Sequence, residues 1–349
     1  MAGDRQFHIA DYVVFSLTMI ISIAIGIYHA RKRRSASTND YMVGSRSMRS
    51  FPLALSMVVS FESAILVLGF PAEIYTHGII FFWIIISVPL SHLIVYRIVP
   101  RVIYPLKITT IYEYFDLCFK SKAVRTLASI LALVHQVIYM GVVLFGPAIA
   151  LQAVVGFPFE WSIIVLASVS ILYTSTGGFR AVIWTDVFQS GIMILGAIVV
   201  LIKGTIDAGG PAEIYEHNLK GERLTLFNFD FNPSVRHTTW CLLFGGLVKG
   251  LSFGLNQASI QRISSASDQR TSERALLMCI PLYFITTLIP IAHGLIIYGY
   301  YSKIRCDPLA NEEIENSNQI IALFVIDVFK SLPGLAGLFI AALFSACLR

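Results

Sequence analysis

Nine apolar stretches divide this chain, at roughly 9–28, 51–75, 79–99, 123–151, 161–173, 185–204, 239–261, 275–300 and 333–349. Most are long enough to cross a bilayer as a helix; the fifth is short, and the ninth runs to the last residue. A bilayer core offers no water to pair with backbone N–H and C=O groups, so single spans of this kind must be helices. Charge agrees, since only 13% of residues are charged and 56% are hydrophobic, where a soluble domain carries about a quarter charged. The predicted fold class is therefore an all-α polytopic membrane protein. No basic region precedes the first stretch and a basic cluster follows it, so it does not read as a signal peptide.

Lys and Arg set the orientation. With the N-terminus outside, sixteen of them fall in inner loops and seven outside, so an extracellular N-terminus is expected. Basic residues sit in short loops between apolar stretches, which does not suggest a nucleic-acid partner. Two outer loops are long, about 205–238 and 301–318; Asp207–Pro211 and Asn228–Pro233 carry turn chemistry and are expected to form structured caps. The five cysteines have no metal-ligand spacing and no disulfide framework is expected. Asn232-Pro233-Ser234 is blocked as a glycosylation acceptor by its proline.

Against this apolar background three pieces could carry chemistry. The stretch Ser50–Gly78 places Ser56, Ser60, Glu62 and Ser63 at mid-depth, with Gly69 and Pro71 toward the outer end. A carboxylate at the centre of a lipid-facing helix costs about 2.5–3.5 kcal/mol, and broken backbone is tolerated only where protein or water covers it. The stretch reads as an interrupted helix lining a solute or ion site; a protonated or hydrogen-bonded structural Glu62 is the alternative. In the seventh stretch Lys249 lies near the midpoint, too central to snorkel easily, among Gly245, Gly246, Gly250 and Gly254. It is expected to pair with Glu62 or to receive an anionic substrate, the alternative being a lysine in a hydrated cavity without a ligand role. Between the fifth and sixth stretches, Thr176-Gly177-Gly178 allows a tight reversal. Thr185 and Asp186 could cap the helix that follows. The glycine pair has no preceding strand and no G-K-[ST], so a phosphate loop is poorly supported. The eight histidines lack i, i+4 pairing with one another, so no metal site is suggested by them. No serine or cysteine has a partnered base, and an enzyme is not expected.

Specific motifs then point to a family. The inner segment Tyr173-Thr174…Gly177-Gly178…Ala181-Val182…Thr185-Asp186…Gln189 and the run Gly254-x-Asn256-Gln257-x-x-x-Gln261-Arg262 resemble the sodium/solute symporter family, within the sodium–glucose transporter superfamily. Gly69-x-Pro71-x-Glu73-x-Tyr75-x-x-Gly78, Tyr139-x-Gly141…Pro147-Ala148 and Cys306-Asp307-Pro308-Leu309 look more like its monocarboxylate, multivitamin and iodide branch than its sugar branch. The resemblance implies a leucine-transporter-like inverted repeat (five plus five core helices) behind an extra N-terminal helix. Residues 1–50 would hold that helix and a basic cytoplasmic linker, 51–204 the first repeat, 205–238 an extracellular loop and 239–349 part of the second repeat.

It also implies sodium-coupled symport of small organic anions by alternating access, in the plasma membrane, with Na+ as coupling ion and no other cofactor. Sodium would be held by the carbonyls of Val59, Glu62 and Ala346, with Asp186 as an acid on the sodium path. Substrate would meet Phe61, Leu66, Tyr139, Lys249, Ser252 and Phe253. Leu66 stands where the sugar branch has a polar sugar contact, and Glu62 and Lys249 where relatives are uncharged. Arg349 stands at the position of a sodium-binding hydroxyl and ends the chain, so the second repeat is expected to be incomplete. Residues 1–349 alone are therefore expected not to transport; the alternative is a non-transporting interaction or regulatory partner of a full-length homologue.

Overall fold

The computed structural model describes residues 8–32, 38–156 and 158–347. In chain order its helices are α1 (Ile9–Lys32), α2 (Thr38–Val43), α3 (Ser50–Phe61), α4 (Ala64–His77), α5 (Trp83–Leu106), α6 (Ile111–Phe119) and α7 (Lys122–Val155). There follow α8 (Phe159–Asp207), α9 (Pro211–Lys220), α10 (Thr239–Leu255), α11 (Gln257–Ser265), α12 (Gln269–Lys303), α13 (Ile320–Phe329) and α14 (Leu335–Cys347). Among the described residues no strand occurs beyond one isolated bridge, Met48 with Ala266. Local chemistry starts several of these helices where the apolar pattern begins. Ser63, Thr238, Asn256 and Asp268 each accept a first-turn N–H from α4, α10, α11 and α12 respectively.

As expected, the second apolar stretch is interrupted: it is two helices, α3 and α4, bent by 58° at Glu62–Ser63. The helix does not end near Gly69–Pro71; α4 carries Pro71 inside it and runs on to His77. The fifth and sixth stretches are not separated by a loop. Helix runs through α8 with one interruption at Gly178, whose φ of 65° and ψ of −175° lie outside helical space and suit glycine. In place of the loop expected at the Gly177-Gly178 pair there is a kink at Gly178. The helix α13 has no counterpart among the apolar stretches read from the sequence: its ten residues, nine apolar and one Asp327, are too few to span a bilayer, yet most are buried.

Burial sorts the helices. Leu53 through Val59 of α3 are all buried, as expected of a helix at the centre of a bundle rather than at its surface. One core gathers α4, α12, α13 and α14 around Phe324, Phe339 and Phe344. Another gathers α3, α5, α11 and α12 around Leu53, Ile260, Ile263 and Leu276. By contrast, 0% of the most apolar window of α7 is buried.

Close packing places the second broken helix. A Cβ added at Gly246 would lie 1.8 Å from Ser87 Oγ, and one at Gly250 would lie 1.9 Å from Ser91 Oγ. At Gly254 it would lie 2.3 Å from Val95. Small residues at i, i+4 spacing on α10 thus let its backbone lie against α5, a common device for membrane helices. The linker before α3 is stitched to the end of α11: Arg46 donates to Ser264 O (2.9 Å) and Lys107 O (2.7 Å), and Arg180 to Ser47 Oγ (2.7 Å). This end of the bundle, rich in Lys and Arg, is called the basic face below.

Candidate functional site

Both broken helices lose their hydrogen-bond ladder within their length, α3–α4 near the middle and α10–α11 nearer its second end. At the end of α3, Glu62 leaves helical geometry (φ −93°, ψ 79°) and its N–H turns back to Val59 O at 3.1 Å. Ser63 is extended and its Oγ caps α4 through Ile65 N–H, 3.3 Å. At the end of α10, Asn256 is extended (φ −67°, ψ 150°) and its side chain caps α11 through Ala258 N–H, 3.0 Å. The two breaks are neighbours. The rings of Phe61 and Phe253 stack across them with centroids 4.6 Å apart and an interplanar angle of 14°, a packing that holds aromatic pairs beyond their buried area.

Two of the three expected ion ligands share a cluster. Val59 and Ala346 belong to one buried cluster with Leu55, Met193 and Ala342, joining α3, α8 and α14. Glu62 is 1% exposed, so the carboxylate does not face lipid; its Oε1 is in hydrogen-bond contact with the Thr286 hydroxyl on α12. That hydroxyl also reaches Leu282 O at 2.8 Å. Ser345, beside Ala346, is fully buried, and its Oγ has no hydrogen-bond partner. Arg349 lies outside the described residues, as do the side chains of Tyr173 and Thr174.

The residues expected to meet substrate lie in different surroundings. Phe61 and Phe253 touch. Lys249 is exposed on α10, its ammonium 5.8 Å from the Phe253 ring centroid, and no ion pair among the described contacts joins it to Glu62. Ser252 is exposed, and Tyr139 stacks on His135 of its own helix at 6.2 Å. Leu66 instead lines a cavity of about 30 Å³ with Val67, Met193, Thr286, His293, Phe339 and Ala342. That space suits a water molecule rather than an organic anion.

Asp186 is not a helix cap. It sits well inside α8, fully buried, and Thr185 bonds back to Ala181 O and Val182 O. Its Oδ2 accepts from Ser56 Oγ (2.5 Å) and from Arg262 Nη2 (3.0 Å). Arg262 also donates through Nε to Ser56 Oγ (2.8 Å) and through Nη2 to Ser60 Oγ (2.5 Å). One guanidinium on α11 thereby fastens α3 and α8 at the basic face. The other carboxylate oxygen of Asp186, Oδ1, is buried without a hydrogen-bond partner. The sequence reading singled out Asp186 but assigned no role to Arg262; an arginine at the end of an apolar stretch and serines four apart on α3 were the available signals.

A second carboxylate–guanidinium contact joins α4 to the segment entering α10. Glu73 on α4 accepts from Arg236 Nε (2.9 Å) and Nη2 (3.0 Å), and contacts His237 Nε2 at 2.6 Å. The Glu73 carboxylate, first by hydrogen bonding and then by charge, raises Arg236 above the usual arginine value.

The profile of the Sodium:solute symporter family matches residues 41–349. The chain is 38% identical over 346 residues to sodium-coupled monocarboxylate transporter 2 of Bos taurus, covering 99% of this chain and 56% of that protein. It is 39% identical over 348 residues to the sodium-dependent multivitamin transporter of Oryctolagus cuniculus, covering 98% of this chain and 54% of that one. Among solved structures, a Na+-coupled sialic acid symporter in a substrate-bound outward-open state superposes with a TM-score of 0.88 at 23% identity. That match covers 98% of this chain and 71% of the other, and is a likeness of fold. The chain spans about half the length of the curated relatives it matches.

Proposed function

The chain belongs to the sodium:solute symporter family, and from that premise we propose that it serves sodium-coupled symport of small organic anions, of the monocarboxylate or vitamin type. The observation that carries this reading is the pair of interrupted helices, broken at Glu62–Ser63 and at Asn256, that meet where Phe61 stacks on Phe253. Interrupted membrane helices offer unwound carbonyls to a cation and helix ends to an anion. Sodium is taken by the carbonyls of Val59, Glu62 and Ala346. Asp186 and Ser345, each with a buried oxygen lacking a hydrogen-bond partner, lie on its path. Such oxygens suit a hard cation. Substrate enters beside Phe61 and Phe253, with Lys249 drawing its carboxylate and Ser252, Leu66 and Tyr139 closing the site as the bundle moves.

The protein lies in the plasma membrane with its N-terminus outside and the basic face in the cytoplasm. Sodium binds first and favours the form open to the outside; release of both solutes follows opening of the basic face. The sodium gradient drives the cycle, with the membrane potential adding about 2.3 kcal/mol per charge per 100 mV. Binding of radiolabelled nicotinate or lactate to the purified protein tests the reading. Saturable binding in sodium that collapses in potassium is expected; binding indifferent to the cation, or none, contradicts it.

A further inference from the structure

We propose that Glu73, His77 and His237 form a binding site for a borderline divalent cation of the zinc type, clipping the end of α4 to the chain entering α10. This stands independently of the transport reading. Glu73 and His77 are four apart on the last turns of α4, so both point to one side of that helix. His237 comes from the segment just before the Thr238 cap of α10. One ligand atom from each of the three lies within 4.8 Å of the other two. His77 Nδ1 is 3.2 Å and His237 Nε2 2.6 Å from the same oxygen, Glu73 Oε1. Tetrahedral zinc, with nitrogen at about 2.0–2.1 Å and carboxylate oxygen at about 2.0–2.2 Å, holds its ligands about 3.3 Å apart. Shifts of side chains alone would reach that geometry.

The donor set selects the metal. Two imidazoles and a carboxylate suit zinc and its neighbours, whereas calcium takes six to eight oxygens. His77 is the last residue of α4, and the partial negative charge at a helix C-terminus favours a cation. Its side chain is 40% exposed, which leaves a fourth position open to solvent. Two guanidiniums face the cluster. Arg223 is committed elsewhere, donating to Thr76 O and lying over the Tyr298 ring at 4.8 Å. Arg236 holds both oxygens of Glu73 and is the competitor. Its side chain is 63% exposed, and ion pairs in that setting are weak, so a metal can displace it.

That competition gives the proposal a signature that a merely structural cluster lacks. Zinc chloride is titrated into tag-free purified protein and followed by calorimetry and by thermal shift, with calcium chloride alongside. Saturable one-to-one zinc binding is expected, with no response to calcium. His77→Gln and His237→Gln should each weaken it at least about tenfold, on the scale of losses at metal sites, while Arg236→Gln should tighten it several-fold. Because His77 and Arg236 are exposed, those two variants should melt as the wild type does without zinc, and they decide the matter if His237→Gln folds poorly. Wild-type affinity in His77→Gln, weaker binding in Arg236→Gln, or no saturable zinc binding would overturn the proposal.

Discussion

The two ends of the broken helices are joined by the same chemistry in opposite settings. At the basic face Asp186 and Arg262 are 1% and 7% exposed and enclosed by Ser56 and Ser60. At the other end Glu73 and Arg236 are 19% and 63% exposed and supplemented by two histidines. A buried pair is held by the cost of leaving either partner alone in a low-dielectric interior. An exposed pair is screened by water and salt and contributes about 0–1 kcal/mol. By this argument burial, rather than the number of polar contacts, sets which of the two closures is the stronger.

Removing one partner of the buried pair should break the comparison most sharply. Arg262→Met leaves Asp186 uncompensated, and a loss of about 3–5 kcal/mol is expected, read as a large fall in thermal stability and as reactivity of a cysteine placed at Val59 toward reagents added from the basic face. Pairing it with Asp186→Asn should recover much of that loss, because the stranded charge is gone; no recovery would mean that packing rather than charge holds this end. Gly250→Leu is an internal control that separates α10 from α5 without touching either pair. Overpacking of this kind costs about 1–3 kcal/mol and should leave the Val59 position unreactive. Ser63→Ala removes the cap of α4 beside the break and should cost about 1 kcal/mol with both closures intact. Arg236→Gln should be smallest, within about 1 kcal/mol, and raising salt should erase the difference. A cost comparable to that of Arg262→Met would end the distinction.

Much of this was legible in the residues. Apolar stretches fix the spans, and the polar run around Glu62 marks the second as interrupted, because lipid does not tolerate it. The position of the break was less legible. Gly69 and Pro71 look like helix breakers, yet a proline removes one N–H and α4 continues past it. Lys249 is central by count, but which side of α10 it occupies depends on Gly246, Gly250 and Gly254 claiming the face against α5. Arg262 could not be assigned because its partners stand 76 residues away at Asp186 and 206 away at Ser56. Glu73 and His77 are four apart and visible as a pair, but His237 joins them only through the fold, from 164 residues along the chain.

Equilibrium binding of radioactive sodium to the purified protein, competed with unlabelled sodium or potassium, checks the sodium site proposed at the break at Glu62–Ser63. Saturable binding displaced by sodium and not by potassium, and lost in Arg262→Met, is expected. Displacement by potassium as readily as by sodium, or no saturable binding in the wild type, would contradict it.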